Sequence, residues 1–592
     1  MQKSLEASHR PAGLRQTGRP CQPGLTRLAG LALATVALAG PATAQPAAPA
    51  TTAATTAATT AGTIIDQVTG YTLTTAGDLQ QFASLAIDAQ GRVLWAGTAA
   101  ETAARAPAAR HVDGGGRTLI SGLIDAHGHV MGLGRSLISL DLTGSATLAA
   151  AQAQIAAHLR QQPASPWLRG GGWNQVIWQL GRFPTAAELD QVVADRPAWL
   201  SRIDGHAGWA NSRALKLAGI DRDTPDPQGG HIERDAQGQP SGVLVDAAME
   251  LVTRVMPAPT DAENRQALDA ALAQLRELGL TSVHDMGIGP VQDQLYREYA
   301  DSGRLSTRIH AAIDGAGADF DALSRQGPLK SYAADLYDLR AVKLYADGAL
   351  GSRGAALIEP YSDAPASRGL LFQGQPVLKA SIEKALKQGY AVSVHAIGDA
   401  GNRQVLDAFE QLSARYPVAS GRHRIEHAQV VALDDIARFR QLGVIASMQP
   451  THATSDMNMA ESRVGRERIR GAYAWRRFLL QGSKLACGSD FPVEYANPFL
   501  GLHAAVTREG EDGLPLGGWY PDQQMSLKEA FRCFTLDAAY AAGQDQQLGT
   551  LEPGKWADFV IIDQDLFRMN LHDIGRTRVL QTWVAGRRVY GR

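Results

Sequence analysis

Short apolar runs that stop at a metal-ligand residue constrain this chain more than any other feature. The first, Leu119-Ile120-Ser121-Gly122-Leu123-Ile124-Asp125-Ala126-His127-Gly128-His129, ends in two histidines one residue apart. Side chains alternate along a strand, so residues i and i+2 share a face, and two imidazoles at that spacing can grip one cation from a single strand end. Runs at 391–395, 424–427 and 485–490 stop in the same way, at His395, His427 and Asp490, and the strand-like passage around Lys343 adds a fifth. One such ending is commonplace. Several in one chain point to a metal centre assembled from strand ends rather than to scattered structural histidines.

A chain of 592 residues, 45% hydrophobic and 20% charged, reads as one large catalytic domain with an accessory layer. Its formal net charge of -2 and lack of a Lys/Arg cluster argue against a nucleic-acid partner. Residues 1–44 read as a signal peptide. Arg27 precedes the apolar run 28–40, and Ala42-Thr43-Ala44 offers a small-residue cleavage site before Gln45. That run is too short to span a bilayer comfortably, and Cys21 lies upstream of it, where no lipidation box would place it. The expectation is an exported protein, periplasmic or secreted, without a stable membrane anchor. Residues 45–62 form a Pro/Ala/Thr linker. Beyond the signal only Cys487 and Cys533 remain, and Cys487 sits on an expected inner strand, so two buried thiols are expected rather than a bridge.

Short strand-like stretches fill 63–118, including 83–88 and 92–97 joined through Asp88-Ala89-Gln90-Gly91, and the same style returns over 548–592. Neither set can bury a core alone, so both chain ends are expected to form one small β-sandwich. Between them, over 119–547, strand-like runs alternate with helical stretches such as 260–278 and 377–388. That rhythm implies an α/β fold with a parallel sheet. Inner strands are expected near 118, 199, 280, 308, 340, 390, 422, 443 and 484, which is one too many for a (β/α)8 TIM-like barrel. Either the 199 or the 308 segment must lie outside it. A barrel is favoured over a doubly wound sheet because the ligand-type residues fall at the C-terminal ends of runs spread along the whole region.

At this point the chain resembles the amidohydrolase superfamily, metal-dependent hydrolases on a (β/α)8 barrel. The resemblance rests on Gly122-Leu123-Ile124-Asp125-Ala126-His127-Gly128-His129, on Gly488-Ser489-Asp490 and on the closing Leu548-Gly549-Thr550-Leu551-Glu552-Pro553-Gly554-Lys555-Trp556-Ala557-Asp558. The passages 201–206, 281–285, 342–353 and 423–429 resemble the YtcJ-like branch, which includes N-substituted formamide deformylase. The resemblance implies metal ligation by His127, His129, His395, His427 and Asp490, with Asp490 also moving the proton. Imidazoles and a carboxylate suit Zn²⁺ or a similar divalent cation, one ion or two. Such a cation lowers the pKa of water to about 7. Lys343 cannot ligate as an ammonium. In two-metal members of the superfamily a lysine here is carboxylated by CO₂ and bridges the ions, whereas a one-metal site would leave Lys343 as a cationic substrate contact.

Other residues carry weaker expectations. His206 and His231, in loops, and Tyr345, Arg353 and Trp173 are candidate substrate contacts; Trp173, Trp178 and Trp209 could line an apolar pocket or equally serve in a core or at a rim. Glu426, one residue before His427, is expected to point away from the metal and pair with Arg424 on the outer face. His284 is expected to support the site without ligating, and His111, His158 and His572 look incidental. The resulting expectation is hydrolysis of a carbon–nitrogen bond in an amide, N-formyl or cyclic amide small-molecule substrate, by a monomer or a homodimer. Deamination or ester hydrolysis on the same scaffold is the alternative enzyme, and a catalytically idle metal-bound binding protein is the alternative from another class. Asp490 argues against the last, since binding alone needs no proton shuttle.

Overall fold

The computed structural model describes residues 61–591 except 162–164, 176, 203–206 and 228–229. The expected signal segment and linker, up to residue 60, lie outside the described residues. Ala61 and Gly62, read from sequence as linker, already belong to the strand Ala61–Asp66.

The centre of the molecule is a parallel sheet of eight strands in sequence order: β1 (Leu123–Gly128), β2 (Leu280–Ile288), β3 (Arg308–Asp314), β4 (Tyr337–Tyr345), β5 (Ala391–Ala396), β6 (Arg424–His427), β7 (Ile445–Met448) and β8 (Leu485–Cys487). The chain just after β8 returns to β1. Phe491 bridges Gly128 in parallel, and the Asp490 amide donates to the His127 carbonyl at 2.7 Å. The expected TIM-like barrel is therefore the observed fold. Its strands are covered on both faces, which is why β1 is buried at every position and reads as one apolar run. Helices with one apolar face cover the outside. Asp261–Glu277 buries Leu268, Leu272 and Leu275, and it begins at Thr260, whose side chain forms a reciprocal capping box with Glu263. Such a cap contributes about 1 kcal/mol.

The spare ninth segment is the one near 199. Strand Ala198–Arg202 belongs to a separate six-stranded sheet over 140–246, inserted between β1 and β2, while the 308 segment is β3. The insert has its own core, in which Trp173, Trp178 and Trp209 pack together with Leu168, Leu189 and Leu200. Of the two roles open to these tryptophans the structure shows the core one, which removes Trp173 from the candidate substrate contacts. Trp173 and Trp209 are fully buried, and the three indole N–H groups donate to the carbonyls of Leu200, Thr185 and Ser145 at 2.6–2.9 Å. A buried indole needs one acceptor, and here each finds it inside the insert.

The two chain ends meet in two facing sheets. One pairs Ala61–Asp66 with Ser84–Asp88 and Arg110–Asp113; the other places Thr118–Ser121 between Thr69–Leu73 and Phe559–Ile562. Ile65, Leu85 and Ile87 pack from one side on Leu119, Phe559, Ile561 and Trp583 from the other. The sequence run that begins at Leu119 is thus split: its first part is a sandwich strand, and only from Leu123 is it barrel. A buried pair, Arg308 to both oxygens of Asp558 at 2.6 and 3.0 Å, fastens the barrel to the C-terminal sheet.

The expectation of two free thiols is overturned. Cys487 is bonded to Cys533, the last residue of helix Leu527–Cys533, with Cα atoms 5.2 Å apart. That helix packs its end directly on β8, which brings the two cysteines into bridging range. Among the described residues no helix is long and apolar enough to cross a membrane.

Candidate active site

The ends of β1 and β8 are fixed to each other before any chemistry is considered. Buried Asp125 accepts hydrogen bonds from the His127 amide at 3.0 Å and from the Ser489 hydroxyl at 2.6 Å, so one carboxylate aligns both strand ends. Gly488 is required at this crossing, because a Cβ there would lie 2.5 Å from both Asp125 Oδ1 and the His127 nitrogen. Burial pushes the Asp125 carboxyl up to about 7, against the pull of its Ser489 and His127 donors.

Asp490 then projects between imidazoles. Its Oδ1 lies 3.1 Å from His129 Nε2 and 3.5 Å from His127 Nε2, and its Oδ2 lies 3.6 Å from His452 Nε2. The His427 ring stands 4.8 Å from that of His127 and 4.6 Å from that of His395. Ligand atoms of His127, His427 and Asp490 lie within 4.8 Å of one another. Lys343, fully buried, reaches in from β4 with Nζ 3.3 Å from His127 Nε2.

Each histidine is oriented by the nitrogen that faces away from this centre. His127 Nδ1 is 2.6 Å from Glu426 Oε2, and His427 Nδ1 donates to Gln449 Oε1 at 2.8 Å. Both contacts leave Nε2 as a lone-pair donor. Burial, with the nearby Lys343 charge, lowers His127 to about 4 and His395 to about 3, and burial lowers His427 as well. Asp490 moves the other way: burial would raise its carboxyl, but the His127, His129 and His452 side chains outweigh it and hold it well below the usual range. At neutral pH His127, His395 and His427 are therefore neutral and Asp490 is ionised, the protonation states that a divalent cation needs. His395 Nε2 and His452 Nε2 are buried with no hydrogen-bond partner. Orphaned nitrogens of this kind fit a cation among them.

Under the histidines lies a buried network. Arg424 donates to Glu426 Oε1 and Oε2 at 2.8 and 2.7 Å, to the Ala126 carbonyl at 2.7 Å and to Ser447 at 3.1 Å, and its Nη1 lies 2.6 Å from His284 Nδ1. Glu426 is thus no outward-facing residue. It is completely buried and grips the back of His127. Strand alternation fails here because the backbone leaves the extended region at His427 (φ 71°) and Ala428 (φ 41°), so consecutive side chains both turn inward. Asp490 sits at φ 63°, and non-glycine residues in this left-handed region are strained.

The remaining candidates divide. Tyr345 belongs to the site: its ring is 6.0 Å from that of His395, it is 36% exposed, and its hydroxyl donates to Asp314 at 3.2 Å. Arg353 is half-buried and engaged with Asp363 at 2.9 Å. His231 lies on a strand of the insert rather than in a loop, exposed and 2.7 Å from Asp226. His206 lies outside the described residues. Sequence reading missed His452, on helix Pro450–Asp456, whose ring stacks on His427 at 5.7 Å. It follows β7 as His427 ends β6, but with three residues intervening after Met448 no strand-end pattern marks it.

The residues 110–590 match the model of the Amidohydrolase family. The chain belongs to the amidohydrolase family. This amidohydrolase is 32% identical over 490 residues to YtcJ of Bacillus subtilis, spanning 82% of this chain and 91% of that one. It is 30% identical over 511 residues to N-substituted formamide deformylase of Arthrobacter pascens, spanning 84% and 93%. Among solved structures it resembles an uncharacterized metal-dependent hydrolase from Pyrococcus furiosus, with a TM-score of 0.73 at 29% identity, over 86% of this chain and all of that one. The amidohydrolase is accordingly a metal-dependent hydrolase, built around a barrel whose strand ends carry its histidines.

Proposed function

We propose that this enzyme hydrolyses a non-peptide carbon–nitrogen bond in a small amide, N-formyl or cyclic amide, at a divalent metal centre held by His127, His129, His395, His427 and Asp490. The observation that carries the reading is the meeting of these side chains at the ends of β1, β5, β6 and β8, with an ionised Asp490 beside a neutral His127. The relative from Arthrobacter supports the bond type, since its name specifies removal of a formyl group from a substituted amide. Zn²⁺ suits the nitrogen-rich ligand set, and when bound it would polarise the scissile carbonyl and acidify water. The rest falls to the chain's own residues. Asp490, with one oxygen toward His129 and the other toward His452, is placed to take a proton from the attacking water and to return it to the leaving nitrogen. Glu426 and Gln449 hold His127 and His427 in register. Tyr345 lies at the open side of the site, where a substrate would meet it.

Lys343 fits as a carboxylated residue. Burial lowers its pKa, which favours the neutral amine that adds CO₂ and loses a proton to give a carbamate anion. The disulfide supports the proposal that the protein works outside the cytoplasm, in keeping with a signal at its N-terminus.

Turnover of a panel of formamides, cyclic amides and linear amides by the zinc-loaded enzyme tests the bond type. Hydrolysis of esters or deamination of aromatic amines without any amide turnover would overturn it. Lys343→Ala tests the lysine: a carbamate predicts loss of metal and activity, both partly restored by acetate. Restoration by ethylamine alone would show that the free ammonium is the working form.

A further inference from the structure

A second group of ligand-type side chains gathers away from the barrel mouth. His503 lies on helix Pro498–Thr507, Glu509 lies two residues beyond that helix, and His572 lies on the short turn Leu571–Arg576 of the C-terminal segment. One nitrogen from each histidine and one oxygen of Glu509 lie within 4.8 Å of one another.

The centre of the group is an unusual carboxylate. Glu509 is 2% exposed, and among the described residues its ion-pair partner is an imidazole, His572 Nδ1 at 2.7 Å, rather than an arginine or lysine. The adjacent Arg508 turns away, donating to the carbonyls of Trp519 and Tyr473. Arg576, on the same turn as His572, is paired with Asp573 at 2.9 Å. The second oxygen of Glu509 accepts the Gly517 amide at 2.8 Å, which fixes the carboxylate in one orientation. His503 is itself buried, and its side chain has no hydrogen-bond partner among the described residues. A buried carboxylate whose ion-pair partner is an imidazole, with a second imidazole beside it, is a ligand set that a divalent cation would draw together.

The geometry suits a small borderline cation. Three ligands at bond lengths of about 2.0–2.1 Å around a tetrahedral Zn²⁺ stand about 3.3 Å apart, so separations of up to 4.8 Å here would close by as much as about 1.5 Å. His572 is more than half exposed, which leaves room for water as a fourth ligand. The turn already packs closely on the helix: a Cβ at Gly575 would lie 3.8 Å from that of His503.

We infer that His503, Glu509 and His572 form a structural site for a divalent cation of the Zn²⁺ class, distinct from the barrel centre. It ties the C-terminal segment to the helix that follows the Asp490 loop. This site does not depend on the proposed barrel chemistry, and the test keeps the two apart. Metal content per chain is measured by mass spectrometry on the full-length zinc-loaded protein, after dialysis, for the wild type and for His572→Ala, His503→Ala and His127→Ala. The expected result is that His572→Ala and His503→Ala each lose one equivalent of zinc while retaining the barrel metal. His127→Ala loses barrel metal but keeps that one equivalent, and zinc still raises its melting temperature. Wild-type zinc content in both His572→Ala and His503→Ala would overturn the site and leave a plain histidine–glutamate pair. Should His503→Ala fail to fold, His572→Ala decides alone, because its exposed ring contributes little to the core.

Discussion

The ends of β1 and β6 carry the same kind of residue and present it in opposite ways. On β1, His127 and His129 are spaced as a regular strand requires, and alternation delivers both to the site. On β6, Glu426 and His427 are neighbours, and both face inward because the backbone turns into the left-handed region at φ 71° and 41°. The first end could be read from spacing alone. The second stores backbone strain to place a carboxylate behind one histidine and an imidazole in front of it, which no periodicity announces.

The largest expected effect tests what the two ends share. His127→Ala removes a side chain on which β1, β6 and β8 all converge, so metal content should fall and activity should vanish, as chelation of the wild type should also show. Full metal and activity in the variant would break the assignment at both ends. Next comes Asp490, which like His427 and Ala428 sits in the left-handed region. Asp490→Asn keeps an oxygen but cannot accept a proton, so turnover should fall by about 10²–10⁴ with most of the metal retained. A near wild-type rate would transfer the proton step to another group, with His452, 3.6 Å from Asp490 and outside the proposed ligand set, the first to test.

Glu426→Gln then separates the back of β6 from its front. Losing the carboxylate behind His127 should lower metal affinity by about 10–100-fold. It should also lower the melting temperature, since breaking a buried ion pair costs about 3–5 kcal/mol and Arg424 would be left without its counter-charge. Unchanged metal affinity would return Glu426 to a purely structural part. The smallest effect sharpens the contrast in backbone. Ala428→Gly relieves a left-handed alanine and should change stability by less than about 1 kcal/mol. Ala126→Gly on the extended β1 removes a buried methyl without any such relief and should cost about 1–2 kcal/mol. Equal losses in denaturant titrations of the two variants would deny that the β6 end is strained.

Much of the architecture was legible because parallel barrel strands are buried on both faces and so stand out as apolar runs. The ambiguity over a ninth strand was real, because the 199 segment is equally apolar. Its partners are the inserted sheet, and pairing is a long-range property that a local run does not encode. The tryptophans illustrate the same limit: an indole that finds its acceptor inside a core looks, in sequence, like one that lines a pocket. The disulfide depended on where the helix ending at Cys533 packs, and His452 on a ring stacked from a neighbouring loop. Each of these is a meeting between segments rather than a pattern within one.

The sheet that joins the two ends of the chain has a consequence in time. Thr118–Ser121 has Thr69–Leu73 on one edge and Phe559–Ile562 on the other, and Val579–Val584 extends that same sheet. During synthesis the early strands therefore wait, with one edge unpaired, until more than four hundred further residues have left the ribosome. The barrel between them can gather its helices, but the enclosing sheet closes only once Phe559–Ile562 and Val579–Val584 have emerged. A ribosome-bound chain halted before Phe559 should thus expose the Leu119 and Ile120 surface to chaperones or to early aggregation, a hazard that ends when the last strands arrive.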